Sequence, residues 1–320
     1  MRRVISLGGV AVALLVDDSA RWPAVDALFG ACPEAEGNVL VTLQVGATAG
    51  PVPERAPDVA YSDVDLWFTD RGALTRHRRG LVVQRDGDVI TAGGAVVDAG
   101  YVRAFRRSVQ HVLVDALAEH GRFALHAALV ARDGEAVGVL GDTGSGKSTL
   151  AVSAIARGWS VLGDDIAFAV AGDGTAVDVT AFPKPLHVPV EAVHTRPIGA
   201  ADAIVLRDDP RSRLVVQGQV GVSHVARRLR GLIVVRHGAA GARLEPLPSG
   251  PRLLTLIMRS YPLQASPARV REFFPLAARI SRLPAVLFEH ASDPVDRIRQ
   301  AADLLPAAWE ACTPSEAQNQ

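Results

Sequence analysis

Lysine is almost missing from this chain. Of its 320 residues 34 are basic, and only Lys147 and Lys184 are lysine; the other 32 are arginine. Asparagine is as scarce, with Asn38 and Asn319 alone. Both amino acids have A-rich codons, so the shortage reads as the mark of a GC-rich genome. A lysine kept under that pressure points to a place where a compact ammonium is required and a planar guanidinium cannot replace it. Cysteine is scarce too. Cys32 and Cys312 lie far apart, supply neither a disulfide framework nor a zinc spacing, and fit a reducing, cytoplasmic compartment. Net charge is nil, since 34 acidic residues balance the 34 basic ones. That argues against a general nucleic-acid binder, which needs a basic face for phosphates. No repeat or low-complexity stretch stands out, and Trp22, Trp67, Trp159 and Trp309 are too scattered for a stacking platform. The apolar run from Val4 to Val16, after Arg2 and Arg3, imitates a secretory signal. It is too short to span a bilayer as a helix, and Asp17 and Asp18 follow where a small-residue cleavage site belongs. It reads as a buried strand, and no membrane partner is expected.

At 48% hydrophobic and 21% charged the composition is that of a globular protein. The length suits about two domains. Residues 1–100 read as mostly strand: Val4–Val16, Val39–Val45, Val64–Phe68, and a hairpin over Leu81–Thr91 around Asp86-Gly87, with Pro51, Pro53 and Pro57 marking a loop. From Tyr101 to His120 the residues Val102, Phe105, Val109, Val112, Leu113 and Leu117 share one helical face, and Gly121 stops the helix. That helix is the predicted joint between residues 1–100 and a second region over 101–312. Leu125–Val130 and Ala136–Leu140 follow as strands about a turn at Asp133-Gly134, then a glycine-rich loop and a helix to Arg157 closed by Gly158. Ser160–Leu162 reads as a short buried strand, and Asp173-Gly174 turns Ile166–Ala171 back through Ala176–Thr180. Leu232–Val235 reads as a strand, Leu253–Ser260, Val270–Ser281 and Val295–Leu305 as helices, and 313–320 as a frayed tail.

The segment Gly141-Asp142-Thr143-Gly144-Ser145-Gly146-Lys147-Ser148 matches the phosphate-loop pattern G-x-x-x-x-G-K-[ST], between an apolar strand and a helix. Glycines let backbone N–H groups converge on an anion, and a helix N-terminus adds its dipole. The pattern makes Gly141 to Thr149 the predicted nucleotide site, with Lys147 reaching the β- and γ-phosphates of ATP and Ser148 offering its hydroxyl to Mg2+. Asp164 and Asp165 follow Lys147 by only 17 and 18 residues. A helix and a short returning strand bring them back beside the loop, at the strand end where open α/β sheets bind ligands. Neighbours on a strand face opposite ways, so one acid can serve the metal and the other act as general base toward a hydroxyl.

From Leu125 to Ile166 the chain resembles the catalytic domain of HPr kinase/phosphorylase, a bacterial protein-serine kinase whose fold is related to phosphoenolpyruvate carboxykinase. The shared pattern is His126, a short hairpin, the loop GDTGSGKS, Arg157-Gly158 and Asp164-Asp165, with the histidine 21 residues before Lys147 and Asp165 18 after it. The resemblance implies an α/β fold: a P-loop kinase domain with a mixed sheet, preceded by the mostly β N-terminal region. It implies Asp165 as general base toward the acceptor, His126 near the phosphates and Asp164 on the metal. The family's downstream signature resembling E-[IV]-R-G-L-G is absent. Phe182-Pro183-Lys184-Pro185-Leu186-His187 stands in its place, with Glu191 beyond. Glu191 is thus a weak candidate metal ligand, and Arg227, Arg228 and Arg230 are candidates for a catalytic arginine or a solvated face. Around Pro183–Leu186 the chain resembles better the shorter HPr-kinase-like proteins, some of which are tailoring kinases for ribosomally made peptides, including lasso peptides.

Lys184, stiffened between two prolines, is the leading further active-site candidate. His187 and His194 have no partner at metal spacing and read as structural or solvated. The expected activity is ATP- and magnesium-dependent phosphorylation of a serine on a peptide or small protein. A small-molecule hydroxyl kinase would keep the same residues. A nucleotide-switched binding protein would keep the loop without needing Asp165. A carboxykinase would need further metal ligands. Residues 1–100 are expected to recognise peptide or to make oligomer contacts.

Overall fold

Two glycines decide how the chain begins. Gly8 and Gly9 take φ of 61° and 80° in the computed structural model, the pair of positive values that a two-residue hairpin turn demands and that side chains with a Cβ resist. The run expected as one buried strand therefore folds back on itself as β1 (Arg2–Leu7) and β2 (Val10–Val16), with Leu7 opposite Val10. The structure describes residues 1–94, 100–182, 186–189, 203–205, 213–216, 225–238, 242–248, 250–258, 267–290 and 294–312. It divides into two compact units, Met1–Phe123 with Pro262–Arg271 and Ala124–Tyr261 with Glu272–Gln320. The fold is mixed α/β with mixed sheets and a β-rich N-terminal region. No helix among the described residues is long and apolar enough to cross a membrane.

The first unit is an eight-stranded sheet. To β1 and β2 it adds β3 (Val41–Val45), β4 (Val59–Ala60), β5 (Val64–Thr69), β6 (Gly72–His77), β7 (Val82–Asp86) and β8 (Val89–Gly93), in the order β1-β2-β3-β8-β7-β6-β5-β4. The Asp86–Val89 turn is the hairpin the sequence predicts. Helix α1 (Trp22–Phe29) is held at its start by Pro23; helix α2 (Tyr101–Glu119) buries the predicted face of Phe105, Val109, Val112, Leu113 and Leu117.

The boundary falls after α2 and not at residue 100, because α2 packs on β6, β7 and β8. A charged knot fixes that packing. Asp115, on the buried face of α2, accepts hydrogen bonds from Arg85 of β7 at 2.6 Å, from Arg269 at 2.9 Å and from the Ala73 amide at 3.1 Å. Arg85 is 1% exposed. Burial alone would raise the Glu119 carboxyl at the end of α2, but hydrogen bonds and charge from Arg269 and Arg85 outweigh it and hold the group below its usual range.

The second unit begins with β9 (Phe123–Leu125), β10 (Ala128–Arg132) and β11 (Glu135–Leu140), then α3 (Lys147–Ile155), β12 (Ser160–Gly163), β13 (Ala167–Ala171) and β14 (Val177–Ala181). Three short strands, β15 (Leu186–Pro189), β16 (Ala203–Val205) and β17 (Arg213–Val216), form their own sheet. Beyond them come β18 (Arg227–His237), β19 (Arg243–Pro246), α4 (Pro251–Met258), α5 (Pro267–Ile280), β20 (Ala285–His290) and α6 (Pro294–Ala311). The main sheet runs β12-β10-β11-β18-β14-β13-β9, with β20 also paired to β18 and β19 to β20. Strands β11, β18 and β20 are parallel, and β12 points the same way because it and β11 are both antiparallel to β10. The buried run of β11 suits a central strand covered on both faces. Leu150, Ala151 and Ala154 of α3 and Ala301, Leu305 and Trp309 of α6 pack against Val137, Val139, Ile233 and Phe288 of the sheet. Burial pushes the Cys32 and Cys312 thiols up to about 12, so neither is a ready nucleophile.

Truncation of Asp115 to alanine takes from the buried Arg85 one of its two acidic partners and leaves it Glu119 at the end of α2. Loss of one partner of a buried ion pair costs about 3–5 kcal/mol, which urea denaturation of Asp115→Ala should register; a loss below about 1 kcal/mol would contradict the role given to the knot.

Candidate functional site

The phosphate loop, Asp164, Asp165 and His126 gather at one edge of the second unit's sheet, the carboxyl end of the four co-directed strands. β11 ends at Leu140 and delivers the chain into the loop 141–146, with Asp142, Thr143 and Gly144 exposed at its crest and Ser145 buried. Gly146 is the N-cap of α3 with φ of 108°, and no side chain caps the helix. The amides at the start of α3 are the groups such an N-terminus offers to an anion. A Cβ on Gly146 would meet His290 Nε2 at 2.6 Å, so the position needs glycine for space as well as for φ.

The Gly141, Asp142, Gly144 and Ser145 carbonyls of the loop are turned to partners. Lys147 Nζ donates to the Gly141 carbonyl at 2.7 Å and to that of Asp142 at 3.1 Å; the Ser145 amide also donates to Asp142 O at 3.0 Å. His237 Nε2 lies 3.2 Å from the Gly144 carbonyl, and His290 Nε2 bonds the Ser145 carbonyl. Because each peptide plane carries its donor and acceptor on opposite sides, carbonyls secured this way aim their partner amides elsewhere. Lys147, 6% exposed, folds over the loop from the first turn of α3, and Thr149 is buried one turn further in.

The two acids separate as expected, though for a different reason. β12 ends at Gly163, so Asp164 and Asp165 sit in the bend beyond it and not on the strand. Asp164 is 5% exposed and accepts a long hydrogen bond of 3.4 Å from Ser148 Oγ. Asp165 stands about a third exposed, with its Oδ1 at 3.1 Å from His126 Nε2. The sequence predicts one strand over Leu125–Val130; the structure breaks it at His126-Ala127, where the Ala127 amide turns back to the Leu125 carbonyl. The break puts His126 at the sheet edge, facing Asp165.

A hydroxyl beside a carboxylate is a hard-oxygen pair that suits Mg2+, which takes few protein ligands and fills its shell from phosphates and water. Among the described residues no cluster of three or more His, Cys, Asp or Glu gathers to hold a metal. The pair of Ser148 and Asp164 oxygens is a donor set of that hard-oxygen kind.

Lys184, Glu191 and His194 lie outside the described residues, and of His187 only its place on β15 is described. The arginine cluster is elsewhere. Arg228 pairs in register with Glu135, at the amino end of β11, whereas the loop leaves from Leu140, about 17 Å along a strand. Arg230 is tied to Glu135 at 3.0 Å and stacks over Trp309. Arg227 and Arg228 stand at the same end of β18, away from the loop. Sequence reasoning passed over His237 and His290. Each closes a buried apolar strand at its carboxyl end, and that placement was the available signal. Beside them Glu289, held below its usual range first by a hydrogen bond from Arg236, ties the ends of β18 and β20.

No protein-family model matches the chain, and no curated protein matches it in sequence. Among solved structures, the Hpr(Ser) kinase/phosphatase from Coxiella burnetii aligns with a TM-score of 0.29 and 10% identity, over 58% of this chain and 97% of that one. So loose a likeness carries no function across to this chain.

Gly146→Ala is expected to keep the fold by circular dichroism and to weaken binding of a nucleoside triphosphate, by calorimetry, about tenfold or more, since the strained backbone and crowded His290 must shift the loop. Unchanged affinity would remove the loop from anion binding.

Proposed function

We propose that this chain is an ATP- and magnesium-dependent kinase that transfers the γ-phosphate to a serine hydroxyl of a peptide or small protein, of the kind made as a ribosomal natural-product precursor. One observation carries the reading: at the edge where the loop presents its helix N-terminus, His126 and Asp165 are paired at 3.1 Å and open to solvent. A protein that merely switches with nucleotide has use for the loop but none for a carboxylate oriented by an imidazole.

The residues divide the work. Amides at the start of α3 and Lys147 hold the phosphate charge; a preorganised donor of this sort is worth about 10²–10³ in rate. Ser148 and Asp164 would hold Mg2+, which when bound neutralises charge on the phosphate oxygens. Asp165 accepts the proton of the serine hydroxyl as the serine oxygen bonds to the γ-phosphorus and the bond to the ADP oxygen breaks. His126 keeps that carboxylate oriented. The resemblance over Pro183–Leu186 supports a peptide acceptor, and Lys184, stiffened between its two prolines, would meet an acidic or phosphate group.

Incubation with ATP, Mg2+ and peptides encoded beside the gene, read by mass spectrometry, should yield a phosphoserine. Asp165→Asn should lower that transfer by about 10²–10⁴ while nucleotide affinity is kept. Transfer undiminished in Asp165→Asn would remove the general base. Transfer to small alcohols and to no peptide would move the acceptor to a small molecule.

A further inference from the structure

We infer that His237 and His290 form a two-imidazole latch that sets the peptide planes of the phosphate loop, and so act as positioning residues for the anion it binds. The inference deepens the kinase reading and rests on it for the identity of that anion. Strands β18 and β20 run parallel and end their register in the pair His237–His290. The two rings meet edge to face, 4.9 Å between centroids at 83°. Phe288 backs His290 at 5.7 Å, and His290 is 1% exposed, so its ring is fixed by packing.

Both rings address successive carbonyls of the loop, Gly144 and Ser145. A carbonyl only accepts, so each Nε2 carries the proton and donates. The Gly144 carbonyl shares its peptide plane with the Ser145 amide, and the Ser145 carbonyl shares its plane with the Gly146 amide. Holding the first supports the inner turn from the Ser145 amide to Asp142 O. Holding the second turns the Gly146 amide, immediately before Lys147, to the side away from His290. Without the imidazoles the two carbonyls lose their donors. A peptide free to rotate would aim an oxygen where the phosphate needs an N–H. The rings thus act on the ligand through the backbone and need not touch it.

The test uses the full chain with His237→Ala, His237→Gln, His290→Phe and His290→Gln. Amide hydrogen exchange over 141–147 is followed without nucleotide, and MgATP affinity by calorimetry. His237→Ala and His290→Phe should speed exchange in that segment and weaken MgATP binding, each about tenfold, the scale of a lost hydrogen bond. The Gln variants keep an N–H donor and should restore most of both. His237 is exposed, so its variants carry the test if His290→Phe fails to fold. Unchanged exchange and affinity in His237→Ala, or Gln variants as impaired as Ala and Phe, would overturn the latch while leaving the kinase reading intact if the wild type binds MgATP. A wild type that binds no MgATP but shows the expected exchange pattern would uphold the latch and overturn the kinase reading.

Discussion

A backbone loop can bind an anion only if it first disposes of its own oxygens. Every peptide that offers an N–H to phosphate carries a carbonyl on its other side, and a carbonyl without a donor is both costly to bury and repellent to the ligand. In this protein the disposal is distributed. Lys147 takes the Gly141 and Asp142 carbonyls from within the loop, and His237 and His290 take those of Gly144 and Ser145 from two neighbouring strands. The arrangement explains why the loop is bound to the sheet beside it and is not merely a flexible turn before a helix.

That dependence sets what the rest of the second unit must do. Strands β11, β12, β18 and β20 all point the same way, so their carboxyl ends deliver the loop, the acid pair, His237 and His290 to one edge, the edge at which α/β sheets collect ligands. α3 and α6 cover the face beneath, and their packed Leu150, Leu305 and Trp309 keep the strand ends from drifting. The break at His126-Ala127 and the end of β12 at Gly163 are the local exceptions. Both lie at this edge, and both free a side chain to turn toward its neighbour.

Much of the site was legible in the sequence because it is local. The phosphate loop, Asp164, Asp165 and His126 lie within about forty residues, where spacing along a helix and two strands translates directly into space. The arginine cluster stayed open between two readings because spacing does not tell which end of a strand faces the loop; Arg227, Arg228 and Arg230 open β18, and His237, beside the loop, closes it. His290 lies far along the chain, and its place at the end of an apolar strand did not say that a parallel pairing would bring it to the loop. The boundary at residue 100 missed because the apolar face of α2 does not say which sheet it covers, and Asp115, a charge on that face, was the clue to a partner such as Arg85. Gly8-Gly9 was readable as a turn and was hidden by the apolar residues on either side.

The two lysines with which the sequence is so sparing point to the central claim, that Lys147 and the loop exist to hold a nucleoside triphosphate. The most direct measurement is a crystal structure with magnesium and a non-hydrolysable ATP analogue. The account predicts phosphates against the amides of 141–148, with Lys147 Nζ drawn from the Gly141 and Asp142 carbonyls onto them and Asp165 facing the γ-phosphate. An analogue seated elsewhere, with Lys147 still on those carbonyls, would contradict it.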